Sequence, residues 1–345
     1  MKNILVTGGT GFIGVHLVKR LSELGHKLKL LVRETSDTSC FEGLDNIEYV
    51  IGDVTDVDSI YKGAENVDCI YHLAGYVKIW AKDRNIYERI NVDGAENAAK
   101  VALDKGIPMY YVSSFGAIGP NKDGNMCDEE TQHDDFFHFE YEKTKFLGTE
   151  VVKDYMAKGL KAVIFYPGFI YGPGDFNIYG EMMFDIVAGQ FLGCPGKGDS
   201  LFCMAYIDDV VDGMVNALGR DDLIGEDFFL GGENIEIGKY LDLAAEVAGT
   251  KKPRHFPMSA AIIYANVLTA KANFGKPKRV PYITKPMLVG MKVNWAYSSQ
   301  KAIDKLGYKI TPLREGLEST VKWYQDYIEK NGKKKKKVGI RCSII

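Results

Sequence analysis

Asn3-Ile4-Leu5-Val6-Thr7-Gly8-Gly9-Thr10-Gly11-Phe12-Ile13-Gly14 is the stretch that decides the fold. Asn3 to Thr7 reads as a short buried strand, and the glycine loop after it runs straight into a helical pattern over Val15 to Leu24. A glycine-rich loop alone is often a plain turn, but strand, loop and helix in this order is the setting a dinucleotide demands. Gly8 permits the tight turn, Gly11 lets backbone approach a pyrophosphate, and Gly14 lets the helix pack closely on the strand. Thr10, Phe12 and Ile13 fill out the loop that would face the cofactor. The helix N-terminus then offers free N–H groups and a favourable dipole to the phosphates.

Outward from that loop the chain continues as alternating strands and helices. A second strand, Lys27 to Val32, ends at Arg33, 19 residues past Gly14. A carboxylate there would hydrogen-bond the adenine ribose of NAD, whereas an arginine can meet a 2′-phosphate. NAD(P) is therefore the expected cofactor, with Arg33 leaning toward NADP. A third strand, Ile47 to Ile51, leads into Gly52-Asp53-Val54, where Asp53 reads either as a carboxylate beside the adenine pocket or as a helix N-cap. A fourth, Cys69 to Tyr71, runs into His72-Leu73-Ala74-Gly75, whose small residues let backbone pass close to a cofactor.

Farther along, Tyr141 and Lys145 stand four residues apart, with Ser113-Ser114 upstream at the end of an apolar run. On a helix that spacing puts both side chains on one face. A phenol titrates near 10, and a fixed positive charge beside it favours the phenolate, each tenfold gain in acidity requiring about 1.4 kcal/mol of interaction. The same spacing also describes a solvated helix face. The glycine loop and the serine pair tip it toward chemistry.

As an ordered set, Thr7 to Gly14, Asp53-Val54, His72 to Gly75, Asn91-Val92, Ser113-Ser114 and Tyr141 to Lys145 resemble an extended short-chain dehydrogenase/reductase. The resemblance covers residues 1 to about 328 and continues through Tyr166-Pro167-Gly168-Phe169-Ile170-Tyr171-Gly172-Pro173-Gly174, Tyr206 to Gly213, Lys305 to Tyr308 and Leu313 to Leu317. Within the family the chain is most similar to the dihydroflavonol-reductase-like branch, especially the plant farnesol dehydrogenases. Ser113-Ser114-Phe115, Phe136 to Tyr141, Tyr166-Pro167-Gly168 and Gly249 to Pro253 carry that narrower likeness.

The resemblance implies a catalytic set of Ser114, Tyr141 and Lys145, with Asn91 as a relay. Tyr141 would be general acid in reduction and base in oxidation, and Ser114 would bond the same substrate oxygen. Lys145 would bind the nicotinamide ribose hydroxyls and lower the phenol's pKa. Gly119 fixes the register that favours Ser114 over Ser113. Read without the family, Ser113 is a strand-end hydrogen bonder and Asn91 a helix N-cap. Tyr166, Pro167, Gly168 and Phe169 would lie against the nicotinamide ribose. Tyr166 stands where many members place an arginine that sugar-nucleotide epimerases usually carry, which counts against an epimerase.

The expected architecture is α/β, a doubly wound parallel Rossmann sheet with a smaller, interleaved C-terminal substrate region. Residues 1–175 are read as mainly the dinucleotide-binding domain, 176–330 as mainly the substrate region with segments returning to the core, and 331–345 as a basic, disordered tail. At 345 residues and 46% hydrophobic the chain can bury a large core, and its net charge of −3 gives no nucleic-acid signal. Six scattered cysteines suit a reducing compartment and suggest no metal site. The stretch Ile178 to Met183 with the apolar run that follows it to Leu192, and the segment Met258 to Ala270, are read as core helices in preference to walls of an apolar pocket. Trp80, Phe136, Phe137 and Phe139 favour an apolar substrate over a sugar nucleotide.

The expected function is hydride transfer between nicotinamide and an apolar or aromatic alcohol or carbonyl, whether prenyl, flavonoid-like or steroid-like. An NAD-dependent sugar-nucleotide epimerase/dehydratase is the alternative enzyme, and a non-catalytic nucleotide-binding scaffold the alternative of another kind. A small apolar substrate and a second copy of the chain are the partners allowed for. The absence of a signal peptide or of 18 consecutive apolar residues suits the cytoplasm. Lys333 to Lys337 followed by Cys342-Ser343-Ile344-Ile345 has a C-a-a-X shape, so a eukaryotic chain would be prenylated at Cys342 and tethered on the cytosolic face.

Overall fold

The apolar strand runs assemble into seven parallel strands in a computed structural model that describes residues 1–121, 125–134, 136–274, 281 and 283–333. In chain order the strands are β1 (Asn3–Thr7), β2 (Lys27–Val32), β3 (Ile47–Ile51), β4 (Cys69–His72), β5 (Met109–Val112), β6 (Ala162–Pro167), β7 (Phe169–Tyr171), β8 (Cys194–Pro195), β9 (Leu201–Tyr206), β10 (Asp227–Leu230), β11 (Glu233–Glu236) and β12 (His255–Phe256). The helices are α1 (Phe12–Glu23), α2 (Val57–Gly63), α3 (Asn85–Glu88), α4 (Gly94–Lys105), α5 (Glu140–Ala157), α6 (Ile178–Val187), α7 (Ile207–Asn216), α8 (Ile237–Val247), α9 (Met258–Phe274), α10 (Lys285–Gly290), α11 (Gln300–Leu306) and α12 (Leu313–Asn331).

The main sheet runs β10-β6-β5-β4-β1-β2-β3, every pair parallel. β4, β5 and β6 are buried at every residue, because helices cover both faces of a parallel sheet and its inner strands must be apolar throughout. β3 at the edge exposes Tyr49 and Ile51 instead. Strand order reverses between β1 and β4, and their carboxyl ends open the crevice where ligands bind in such sheets. The doubly wound expectation is met.

The later chain builds two smaller assemblies. β7, β9 and β11 form a second sheet, flanked by α6, α8 and α12, which pack on one another. β8 pairs with β12, and next to this pair α9 and α10 close around a second small core of Ala261, Ala265 and Leu288.

Three helix expectations change. α1 begins at Phe12 rather than Val15, so the last glycine of the loop already lies inside the helix. α6 is a core helix through Met183, Phe184 and Ile186, but it stops well short of Leu192, which is exposed. α9 is not a core helix. It buries alanines, Ala261, Ala265 and Ala272, and turns Ile263, Val267 and Phe274 outward. Small residues let α9 lie close to α10, which sends its bulky side chains to the far face. Among the described residues no helix is long and apolar enough to cross a membrane. Cys342 and the lysines beyond Lys333 lie outside the described residues.

Candidate active site

The loop between β1 and α1 is held by sterics at two glycines. Gly8 has φ of +72°, and a Cβ there would stand 2.6 Å from the backbone nitrogen of Ala74, so the chain after β4 lies directly against the loop. A Cβ on Gly14 would strike the carbonyl oxygen of Gly8, which is how α1 seats on the turn. Gly11 caps α1 with no side chain bonded to the first-turn N–H groups, and no acidic residue occupies that turn. Those donors fit a pyrophosphate. Thr10 and Ile13 are partly exposed beside them, while Phe12 is buried and packs edge-on to His16.

At the carboxyl ends of β2 and β3 a depression of about 400 Å³ is lined by Arg33, Glu34, Thr35, Gly52, Asp53 and Asp56 among others. Asp53 accepts from the Thr55 backbone N–H and hydroxyl, and it is Asp56 that caps α2 through the Asp58 N–H. The competing N-cap role for Asp53 thus passes to its neighbour. Val54 is buried, and its carbonyl accepts from Asn97. Arg33 is exposed at the rim, with its side chain free to meet an incoming group.

After β4, Leu73 donates its N–H to the Thr7 carbonyl, and Ala74 donates to the Thr7 hydroxyl. Gly75 lies beside the side-chain oxygen of Asn91. His72 shares a hydrogen bond with Thr7 at 2.9 Å, and its buried Nε2 has no partner. Burial first, and then the nearby Lys145 charge, push its imidazole down to about 3. It is therefore a neutral structural group.

α5 carries Tyr141 and Lys145 on the face turned to β5. The Ser114 hydroxyl lies near enough to Tyr141 to pull its phenol down, and Ser114 itself adopts extended backbone just after β5 and accepts from Gly116 N–H. Ser113 points elsewhere and shares a 2.6 Å hydrogen bond with Thr149 of α5. Ser114 is thus the serine that meets the phenol, and Ser113 fastens strand to helix.

Lys145 departs from its expected placement. Its Nζ donates to the Val112 carbonyl at 2.8 Å and lies 3.5 Å from the Tyr111 hydroxyl, 4.9 Å above that ring's centre. Burial pushes the amine down to about 7. Tyr141 is pushed up by burial, against the opposing pull of Ser114. The expected lowering of the phenol by Lys145 is therefore corrected. A desolvated amine that sheds its own charge has little field to spare for a neighbour.

Asn91 caps no helix. It sits in a π-helical turn, Arg89–Asp93, between α3 and α4, and is buried. Its Oδ1 accepts from Tyr76 N–H at 2.7 Å, while its Nδ2 donates to Thr144 Oγ1 at 2.9 Å and to the Tyr76 carbonyl. A Cβ on Gly148 would strike the Asn91 carbonyl, so the turn rests directly on α5. These bonds make Asn91 a brace for α5. Thr144, Thr149 and Gly148 are parts of that brace which the sequence alone does not single out; all follow the Tyr141 turn at helical spacing, a signal available only once the helix is assigned.

Tyr166 is also corrected as a cofactor contact. Its side chain is buried in the sheet and its hydroxyl donates to Asp227 of β10, leaving only the backbone of Pro167 and Gly168 to approach a ligand. Phe169 joins an aromatic group instead. Its ring lies 4.0 Å from Phe115 and 4.6 Å from Phe202, with Tyr179 and Trp295 edge-on around it. Phe115 follows Ser114 directly and is only partly buried, so this group forms a wall next to the serine. Trp295 reaches the same wall from far along the sequence, anchored by its indole N–H to the Gly290 carbonyl. Phe139 stacks parallel to Tyr141 at 6.5 Å, while Phe136 is exposed and Phe137 packs on His133 and Phe146. Trp80 donates to Asn273 at the end of α9.

A parallel sheet with a glycine-loop crevice, a serine close to a tyrosine and a buried lysine one turn farther along the same helix define a Rossmann-type enzyme of the dinucleotide-dependent class. The model of the NAD dependent epimerase/dehydratase family matches residues 4–232, and the chain belongs to that family, whose members bind NAD(P). A putative dihydroflavonol 4-reductase of Synechocystis sp. is 28% identical, covering 93% of this chain and 94% of its own. Sterol demethylase protein B of Methylococcus capsulatus is 33% identical over 72% of this chain and 76% of its own. The crystal structure of gox2253 superposes with a TM-score of 0.78 at 31% identity, covering 94% of this chain and 98% of that one.

Proposed function

We propose that the protein is an NAD(P)-dependent dehydrogenase/reductase that interconverts an alcohol and a carbonyl on an apolar, polycyclic or aromatic substrate. The observation that carries this reading is the nearness of the Ser114 hydroxyl to Tyr141 beside the aromatic wall of Phe115, Phe169 and Trp295. Relatives named for a dihydroflavonol and for a sterol support a substrate of that shape.

The bound nicotinamide supplies or accepts the hydride. Tyr141 then gives the substrate oxygen its proton in reduction and removes it in oxidation, and Ser114 donates a hydrogen bond to the same oxygen as charge grows there. A phenol kept neutral by burial is well suited to donate, and its proton stays put until a substrate oxygen arrives. Lys145 gives one donor to the Val112 carbonyl and would turn another to the ribose hydroxyls. Gly8, Gly11 and the first turn of α1 hold the pyrophosphate, and Arg33 faces a 2′-phosphate at the adenine end, which favours NADP. The aromatic wall excludes water and orients the apolar body.

A screen of steroid, flavonoid and prenyl alcohols and their carbonyl partners, read by nicotinamide absorbance with each cofactor, tests the proposal. Turnover confined to bulky apolar members is the expected result. No net absorbance change with any of them, together with interconversion of a nucleotide sugar, would overturn it in favour of an epimerase.

A further inference from the structure

We propose that the outer face of α9 docks on an anionic lipid surface. The helix is apolar on its outer side as well as its inner one. Its inner side is alanine, while Ile263, Val267 and Phe274 stand outward at helical spacing and are 65%, 45% and 92% exposed. Solvent does not select large apolar groups for the outside when small ones already fill the inside. An exposed apolar face of this kind marks an interaction surface, and a lipid leaflet takes its large side chains into the acyl boundary while the cations around it meet the phosphates.

The charge around α9 fits that occupant. No aspartate or glutamate occurs between Glu246 and Asp304, although the whole chain carries a net charge of −3. Lys251, Arg254, Lys271, Lys285 and Lys292 are exposed within that acid-free arc, on α9, on α10 or on the strand and loops that join them. A second copy fits less well. Symmetric pairing would set each cation of the patch against the cations of its twin, with no carboxylate in the arc to answer them. A leaflet of acidic phospholipid answers all of them, and each basic residue near such a surface strengthens binding by about fivefold.

The face also stands next to the catalytic crevice. Asn273, beside Phe274, accepts from Trp80 in the chain that leaves Gly75, and Gly290 of α10 packs on Phe139, whose ring parallels that of Tyr141. Docking there would hold the aromatic wall at the membrane surface, where apolar alcohols concentrate. The inference concerns the surface alone, and vesicle binding reads it without turnover.

The test is co-sedimentation of the full chain with phosphatidylcholine vesicles, with and without phosphatidylserine. Binding to the phosphatidylserine vesicles is expected, weakened about tenfold or more by Ile263→Asp with Val267→Asp and several-fold by Lys271→Glu with Lys285→Glu. All four positions are exposed, and circular dichroism verifies that the variants keep their fold. Failure of the parent chain to bind either vesicle overturns the proposal. So does binding that both variants leave unchanged, which would assign it to the lysine-rich tail. A parent that ignores vesicles but sediments as a dimer, and becomes monomeric on Ile263→Asp with Val267→Asp, overturns it in favour of a second copy.

Discussion

Lys145 Nζ donates to the backbone carbonyl of Val112 at 2.8 Å, so the ammonium of the catalytic helix is fastened to the end of the central strand one residue before the serine pair. The bond sets the distance between α5 and β5 at the level of the chemistry. It also leaves the lysine buried with a pKa of about 7, and that makes its protonation visible in stability.

The ordinary lysine value is 10.5, and unfolding restores it. Between about 7 and 10.5 the unfolded chain therefore holds a proton that the folded chain has shed, and this group makes stability rise with pH across that window. Below about 7 both states are protonated and the slope disappears. Lys145→Met should remove the rise and be least harmful at the acid end. Urea unfolding of both proteins through the window checks this, and parallel curves would mean the lysine is not desolvated.

Tyr141→Phe should lower kcat by about 10²-fold or more while leaving cofactor binding nearly unchanged. Single-turnover rates and cofactor titration separate the two. Undiminished turnover removes the phenol from the mechanism.

Ser114→Ala and Ser113→Ala should differ in kind. The first removes the hydroxyl next to Tyr141 and should reduce kcat by about 10²-fold if it steadies the reacting oxygen. The second breaks the bond to Thr149 and should cost about 1 kcal/mol of stability with kcat largely kept. Equal losses of kcat in the two would refute the assignment of roles.

Asn91→Ala should destabilise the fold by about 1–3 kcal/mol, because the half-buried Tyr76 N–H loses its acceptor and the buried Thr144 hydroxyl a donor. If the residue braces α5 without touching substrate, the bell of kcat against pH should keep its midpoints while its height falls. A moved midpoint would make Asn91 part of the proton path instead.

If Arg33 meets a 2′-phosphate, Arg33→Ala should raise KM for NADP by about tenfold or more and leave KM for NAD close to its starting value. An equal effect on both cofactors would show that Arg33 meets a group they share.

Local chemistry made the first half of the molecule readable. β1 to β3 fall on the expected residues because apolar runs bounded by glycine turns admit few other structures, and Gly8 and Gly14 announce the loop by their spacing. The partner of Tyr141 was legible for the same reason, since Ser114 lies at a strand end. What could not be read depends on neighbours remote in sequence. The burial that moves the Lys145 pKa comes from surrounding elements, the hydroxyl of Tyr166 finds Asp227 on a strand 61 residues later, and Trp295 joins Phe115 from near the far end of the chain. α9 misled by composition. Its apolar content was plain, but which side would face inward was decided by the alanines that meet α10.

The contact between Gly148 and the Asn91 carbonyl has one more consequence. It gauges the position of α5 along its own axis from the cofactor half of the molecule, whereas the aromatic wall is assembled largely from β7, α6, β9 and Trp295. Machinery for moving a proton and upholstery for choosing a substrate thus hang on different frames. Redesign of the pocket can proceed through Tyr179 or Phe202, which reach the wall through Phe169, without retiming the catalyst, and drift at those positions would let related chains change diet while keeping one engine.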